Sequence, residues 1–283
     1  MKTSSCTSHD NSRIALLSVG LRSFPLLHKF FMALFLVLFL QSALISQNKY
    51  DFSQFGRETG SFITQPLRWE GSDWLKLGLM GAGTFAVMQI DQPVRDAVLK
   101  DQSYYYSAPI VGGRVWGELY MPVALFSLFG AHSLITGDMT TRKIGYEIGQ
   151  ASLYAGAITY ILKTSVGRAR PYTNEGNTSF HPFTFFTNDY NSFPGGHTTA
   201  GMVLSTVLSR NAPSTFLKIL AYVPVGFTFV SRIYQDQHWT SDDFLGALVG
   251  YAVATWVVDT HEQEEGRVGI SSVYPLTIRI MLN

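Results

Sequence analysis

Three short clusters in this 283-residue chain combine residue types and spacings that could do chemistry on an anionic group. In the first, Lys163 is followed by six residues and then Arg170-Pro171. Cations seven apart are two helical turns apart and share a face if the helix persists, and Pro171 marks its end. Such a pair can clamp an anion, the arginine with a planar fork and the lysine with a point charge. Arg168 falls off that face, and this reading leaves it outside the site. Taken alone, the cluster is a basic helix end at a membrane surface. In the second, Ser192-Phe193-Pro194-Gly195-Gly196-His197 opens an apolar stretch. Glycines just before a helix let backbone N–H groups approach a ligand, and the helix N-terminus favours negative charge there. His197 sits where it could give a proton to a leaving oxygen. Taken alone, this is a turn into a helix. The third is Ser231-Arg232, five residues, His238, three residues, Asp242. A His and an Asp four apart lie on one helical face, where the carboxylate can hold one ring N–H and leave the other nitrogen free to attack. Arg232 adds a further anion contact. An exposed His–Asp pair or half of a metal site would look the same, but the sequence has no HExxH or Asp-rich motif beside it.

Jointly the clusters resemble the signature of the type-2 phosphatidic acid phosphatase (PAP2) and vanadium haloperoxidase superfamily. Its pattern is Lys-x6-Arg-Pro, then Pro-Ser-Gly-His, then Ser-Arg-x5-His-x3-Asp. Here it reads KTSVGRARP at 163–171, PGGH at 194–197 and SRIYQDQHWTSD at 231–242. The resemblance implies a six-helix all-α bundle and a hydrolase that splits phosphate monoesters or pyrophosphates, lipids foremost, without metal or other cofactor. By the same resemblance His238 is the nucleophile that forms a phosphohistidine, Asp242 orients it, and His197 is the general acid. Lys163, Arg170, Arg232 and the backbone at Gly195 and Gly196 would hold the phosphoryl oxygens, which suits a reaction governed by positioning and positive charge. A soluble periplasmic acid phosphatase, a vanadate-dependent haloperoxidase and a degraded lipid-binding homologue are the alternatives. One position departs from the pattern: Gly195 stands where the family has serine. The expectation is a missing hydroxyl donor, a small gap filled by water, and a weakened cradle.

The elements that must carry these clusters are six apolar stretches: Trp74–Ile90, Gly117–Thr136, Ile144–Leu162, His197–Leu208, Phe216–Val230 and Phe244–Val258. The first three approach the ~20 residues that span hydrocarbon and the last three are shorter, so a membrane-embedded bundle is expected, with a soluble all-α protein as its competitor. Small residues such as Gly78, Gly81, Gly83 and Gly156 would permit close helix approach. The long loop from Tyr172 to Phe193 is of the length that usually carries function.

Composition agrees with this organisation. Charged residues are 14% of the chain and hydrophobic ones 46%, a bias towards buried or lipid-facing helices. A net charge of +1 gives no hint of a nucleic-acid partner. Cys6 is the only cysteine, which excludes an internal disulfide and a cysteine-based metal site. Residues 1–46 read as a secretory signal or anchor: basic residues precede the apolar run Phe30–Leu40, and Ser46-Gln47 offers a cleavage point. An amphipathic lead-in at 47–73, a phosphatase domain at 74–259 and a tail at 260–283 follow. Arg142, Lys143, Arg210 and Lys218 lie at the helix ends opposite the clusters, so the positive-inside tendency turns the site towards the periplasm of a bacterial envelope. Alternation of six spans behind a cleaved signal would turn it inward, and the outward reading is preferred. The expected partners are a membrane and a phosphorylated lipid or small phosphate ester.

Overall fold

A computed structural model describes residues 50–264 except Phe186. The signal-like segment and the tail beyond residue 264 lie outside the described residues. Ten α-helices form the described chain. They are α1 (Phe52–Ile63), α2 (Gly71–Met88), α3 (Asp91–Val98), α4 (Ala108–Gly117), α5 (Tyr120–Thr136), α6 (Met139–Val166), α7 (Gly196–Asn211), α8 (Thr215–Leu220), α9 (Val223–Tyr234) and α10 (Thr240–Glu264). Among the described residues the only β pairing is an isolated bridge between Arg168 and Phe180.

The protein is thus all-α, as expected. The six apolar stretches fall on α2, α5, α6, α7, the α8–α9 run and α10, while α3 and α4 are further short helices. The centre is formed by α6, α7 and α10. Ile148, Ala151 and Ala155 of α6, Val203, Leu204 and Val207 of α7, and Val249, Val253 and Val257 of α10 make the buried cluster. α6 is the longest helix at 28 residues, about 42 Å at the usual rise. It begins where the Asp138 carboxylate accepts from the Thr140 and Thr141 N–H groups, an N-cap of the common kind.

Of the glycines expected to permit close helix approach, only Gly83 faces a neighbour, where a Cβ would lie 3.4 Å from the Phe244 ring of α10, an ordinary contact. A Cβ on Gly78, Gly81 or Gly156 would meet nothing within 4 Å. Instead α10 crosses α7 through Gly246 and Gly250, where a Cβ would lie 2.4 Å from the Gly195 carbonyl oxygen and 2.5 Å from that of Thr199. Those two glycines press the start of α10 against the start of α7, where two of the chemical clusters lie.

At the far end of the bundle, α1 is tied to α10 by a buried polar group. His261 is 3.3 Å from Glu58 through Nε2 and 3.1 Å from Glu147 through Nδ1. Gln54 and Gln150 donate to Glu58 at 2.8 and 2.7 Å. The two carboxylates raise the His261 pKa to about 9 against the desolvation that lowers it. A folded-state pKa raised from 6.5 gives stability that is complete below the unfolded pKa and lost as pH rises through about 9. His261→Gln is therefore expected to destabilise the protein by about 3 kcal/mol at pH 7, the scale for removing one partner of a buried ion pair. The difference from wild type should shrink between pH 7 and 10 in chemical denaturation; a difference constant with pH would show that the charge is not what matters.

Candidate active site

The three clusters meet at one end of the bundle. Lys163 sits in the last turn of α6, and the helix ends at Gly167, whose φ of 60° and contact with the His181 carbonyl both exclude a side chain. Beyond it the chain is extended, with the Ala169 N–H donating to Ser179 O at 3.0 Å and the Arg170 N–H to Asp189 O at 2.8 Å. Lys163 and Arg170 therefore share no helical face. A left-handed turn and an extended segment bring them to the site instead.

The expected helical pairing of His238 with Asp242 is likewise replaced by a turn. α10 starts at Thr240, after His238. The Gln237 and His238 N–H groups both donate to Arg232 O, at 3.0 and 3.3 Å, and this fold-back places His238 beside Arg232. Asp242 lies in the first turn of α10, and its Oδ2 accepts from the Trp239 N–H at 2.9 Å. His238 Nδ1 is 3.8 Å from Asp242 Oδ2. Ser192 lies between them: its Oγ is 3.5 Å from Nδ1 and donates a short hydrogen bond to Oδ2. The ring is buried, and its other nitrogen, Nε2, lies 3.5 Å from an Arg170 terminal nitrogen. Burial first, then Arg170, Lys163 and Arg232, push the His238 pKa well below 6.5. The imidazole is neutral, and the network assigns its proton to Nδ1 and the lone pair to Nε2.

The cations are held mainly by carbonyl oxygens. Lys163 donates to Asn191 O at 2.6 Å, and Arg170 to Asn188 O at 2.8 Å and Gln237 O at 3.0 Å. Arg232 donates to Gln235 Oε1 at 3.0 Å, while its Nε is buried with no partner among the described residues. Burial, then Arg170, bring the Lys163 pKa down to about 7. His197, in the first turn of α7, lies across the site from His238, ring centroids 6.3 Å apart, with Glu118 3.5 Å from its Nε2. Burial, then Arg232, Arg170 and Lys163, lower its pKa to about 3. Gly195 departs from expectation, because its N–H already donates to Asp242 O at 2.7 Å. The N–H groups of Gly196 and His197, in the first turn of α7, have no partner within the helix by its geometry.

Arg168, which falls off the face expected for Lys163 and Arg170, is nevertheless brought beside Asp242. It is fully buried and bridges two carboxylates, Asp242 at 2.6 Å and Asp91 of α3 at 2.8 Å. Asp91 in turn accepts from the Ser241 N–H at 2.9 Å and Oγ at 2.6 Å. Ser192, Ser241, Asp91 and Glu118 were missed. For Arg168 a signal was present: Gly167 and Pro171 bracket a segment too short for a helix, and the face argument lapses once the helix stops.

Compared with known proteins, residues 147–265 match the PAP2 superfamily. That segment holds all three clusters. Over that segment the chain is similar to the PAP2 superfamily. Lipid A 1-phosphatase of Porphyromonas gingivalis is 32% identical over 102 residues, which are 34% of this chain and 20% of that protein. The chain thus spans about a fifth of the length of that relative. Probable lipid phosphate phosphatase 4 of Arabidopsis thaliana is 27% identical over 222 residues, 65% of this chain and 70% of that one. The fold is shared with a transmembrane PAP2 type phosphatidylglycerolphosphate phosphatase from Bacillus subtilis, at a TM-score of 0.50 and 17% identity, over 82% of this chain and 96% of that one.

The site electrostatics make a measurable prediction. Lys163 and His197 are both held below their ordinary values, with neighbouring cations among the causes. An anion bound among those cations raises both pKa values, so the complex carries more protons than its separated parts. Orthovanadate binding followed by calorimetry at pH 7.5 in buffers of different ionisation enthalpy should show net proton uptake by the protein. Binding with proton release would contradict this electrostatic picture.

Proposed function

We propose that the protein is a metal-independent phosphatase of phosphorylated lipids that works through a phosphohistidine on His238. One observation carries this reading: a buried, neutral imidazole with its Nδ1 turned to a carboxylate, and three cations around its free face. Lys163, Arg170, Arg232 and the N–H of Gly196 would take the phosphoryl oxygens. His238 Nε2 attacks phosphorus, the P–N bond forms, and the P–O bond to the alcohol breaks. His197 gives its proton to the leaving oxygen, its pKa having been raised by the bound dianion. Water then attacks phosphorus, His197 takes the water's proton, and the P–N bond breaks to release inorganic phosphate. Charge on the transferring group is stabilised by fixed cations throughout, the main demand of this chemistry.

A lipid substrate is supported by the outer surface and by the names of the two relatives. α2 exposes Trp74, Leu75, Leu79 and Phe85, and the α8–α9 run exposes Phe216, Ile219, Phe227 and Val230. The run Thr215–Tyr234 is, by length and composition, apolar enough to cross a membrane, and α4 with α5 forms a bent pair that passes the same test. Exposed large apolar side chains on these helices support a lipid-facing surface. We place it in a bacterial envelope with the site facing the periplasm. Arg142 and Lys218 support that orientation. Lys143 and Arg210 add less, since Glu147 lies 3.8 Å from the first and Asp259 and Glu262 at 2.7 and 2.6 Å from the second.

His238→Ala should abolish phosphate release from a panel of lipid phosphates and any acid-labile phosphoenzyme, while wild-type turnover survives EDTA and is inhibited by vanadate. Turnover undiminished in His238→Ala would end the mechanism. Orientation is tested separately. Thr178, exposed in the loop before α7, is replaced by cysteine in a Cys6→Ser background. In intact spheroplasts it should react with an impermeant maleimide; reaction only after lysis would place the site in the cytoplasm.

A further inference from the structure

The chemistry above leaves one buried acid at the site without a task. Asp243, next to Asp242 in the first turn of α10, is fully buried. Its Oδ1 accepts from Thr198 Oγ1 at 2.7 Å, and its Oδ2 is buried with no hydrogen-bond partner among the described residues. A Cβ built on Gly195 would lie 2.1 Å from Asp243 Oδ1 and 3.0 Å from its Cα. Gly195 itself has φ −68° and ψ 100°, a conformation open to any L residue. Glycine is therefore present for space and not for backbone freedom. The gap expected from the missing serine does not exist, because the Asp243 carboxyl group fills it from the neighbouring helix.

We propose that Asp243, as a neutral carboxylic acid, takes over the task of the hydroxyl absent at residue 195 and donates its Oδ2–H to an oxygen of the phosphoryl group. This rests on the phosphatase reading and adds a specific donor to it. An ionised Asp243 would set an unpaired buried oxygen against a dianion, whereas the acid form has a donor that needs the acceptor the phosphoryl group supplies. The groups facing Asp243 act in both directions. Burial and Asp242 of the same helix raise its pKa, to about 8, while Thr198 of α7, Arg232 of α9 and Lys163 of α6 lower it. Arg170, in the loop after α6, also interacts with it. A bound dianion offsets those cations, so the complex favours the acid more than the protein alone does.

The test uses the full chain as wild type, Asp243→Asn, Asp243→Ala, Gly195→Ser and Gly195→Ser/Asp243→Ala. Orthovanadate binding and kcat/KM for p-nitrophenyl phosphate are measured against pH. Asp243→Ala should weaken vanadate binding by about ten- to a hundredfold, the scale of one donor to a charged group. Asp243→Asn keeps an N–H donor and should stay within about threefold of wild type. Gly195→Ser alone should bind worse than wild type, since two side chains compete for one volume, and the double variant should bind better than either of its single parents. Wild-type activity should fall as pH rises through about 8, where Asp243 ionises. Lys163 loses its charge in the same direction, so the alkaline limb should have a log–log slope of about two in wild type and about one in Asp243→Asn. A purely structural Asp243 would leave that slope unchanged. Vanadate binding by Asp243→Ala at wild-type strength, or a double variant no better than Asp243→Ala, would overturn the inference. A wild type that binds no vanadate would overturn the phosphoryl site itself, and this inference with it.

Discussion

The site depends on how a single buried carboxylate is satisfied. Asp242 is wholly removed from solvent, a state that costs several kcal/mol per ion unless donors replace the lost water. They come from three directions. Arg168 reaches it from the segment after α6, Ser192 from the loop before α7, and the Trp239 N–H from its own turn. The Gly195 N–H closes on the Asp242 carbonyl as well. One residue thus joins the strands of chain that carry Lys163 and Arg170, His197, and His238. Arg168 is the centre of that junction because it also neutralises Asp91. Removing it would leave two buried carboxylates sharing one pocket, a far larger disturbance than loss of a surface charge.

The cations across the site present the opposite problem. Burial lowers the pKa values of Lys163 and Arg170, the charge of Arg170 adds to the lowering at Lys163, and among the described residues neither these two nor Arg232 makes a hydrogen bond to a carboxylate. Backbone carbonyls of Asn188, Asn191 and Gln237 take that place. Carbonyl dipoles orient a cation without neutralising it, so its charge stays available to an anion. The surrounding fold meets the repulsion in advance, and an anion bound there would relieve it. This is electrostatic preorganisation, with stability exchanged for binding of a developing charge.

The residue types of the site were legible in the sequence, and the geometry connecting them was legible only in part. All-α architecture was implied by the resemblance and agreed with the apolar stretches, and the positions of Lys163, His197 and His238 followed from the motif. The helical-spacing arguments failed at both places where they were used. Gly167 ends α6 between Lys163 and Arg170, and α10 begins after His238, so neither pair shares a helical face. Periodicity describes residues inside an element, and the candidate site residues here lie where elements stop. Partners such as Asp91 and Ser192 come from 77 and 50 residues away along the chain, a distance over which a single sequence carries no contact signal. The small-residue rule held only at Gly83 among the four glycines expected: glycines allow close approach, but which of them face a neighbour depends on the packing.

Gly195 shows how a departure from a motif is to be weighed. Read in one dimension, glycine for serine is a loss. In three dimensions the relevant quantity is whether an oxygen-bearing group occupies that volume, and it can arrive from either of two helices. α10 meets α7 at Gly246, whose Cβ would lie 2.4 Å from the Gly195 carbonyl oxygen. At that separation the short side chain of aspartate, three residues before Gly246, reaches the space beside residue 195. Glutamate, one methylene longer, would have to fold back or push the helices apart, and overpacking of that kind costs about 1–3 kcal/mol. Serine at 195 and aspartate at 243 exclude each other sterically, so aspartate arriving first meets a clash that glycine at 195 then removes. Two substitutions coupled through one shared volume are non-additive by construction, and a residue-by-residue comparison with the family pattern counts only the first of them.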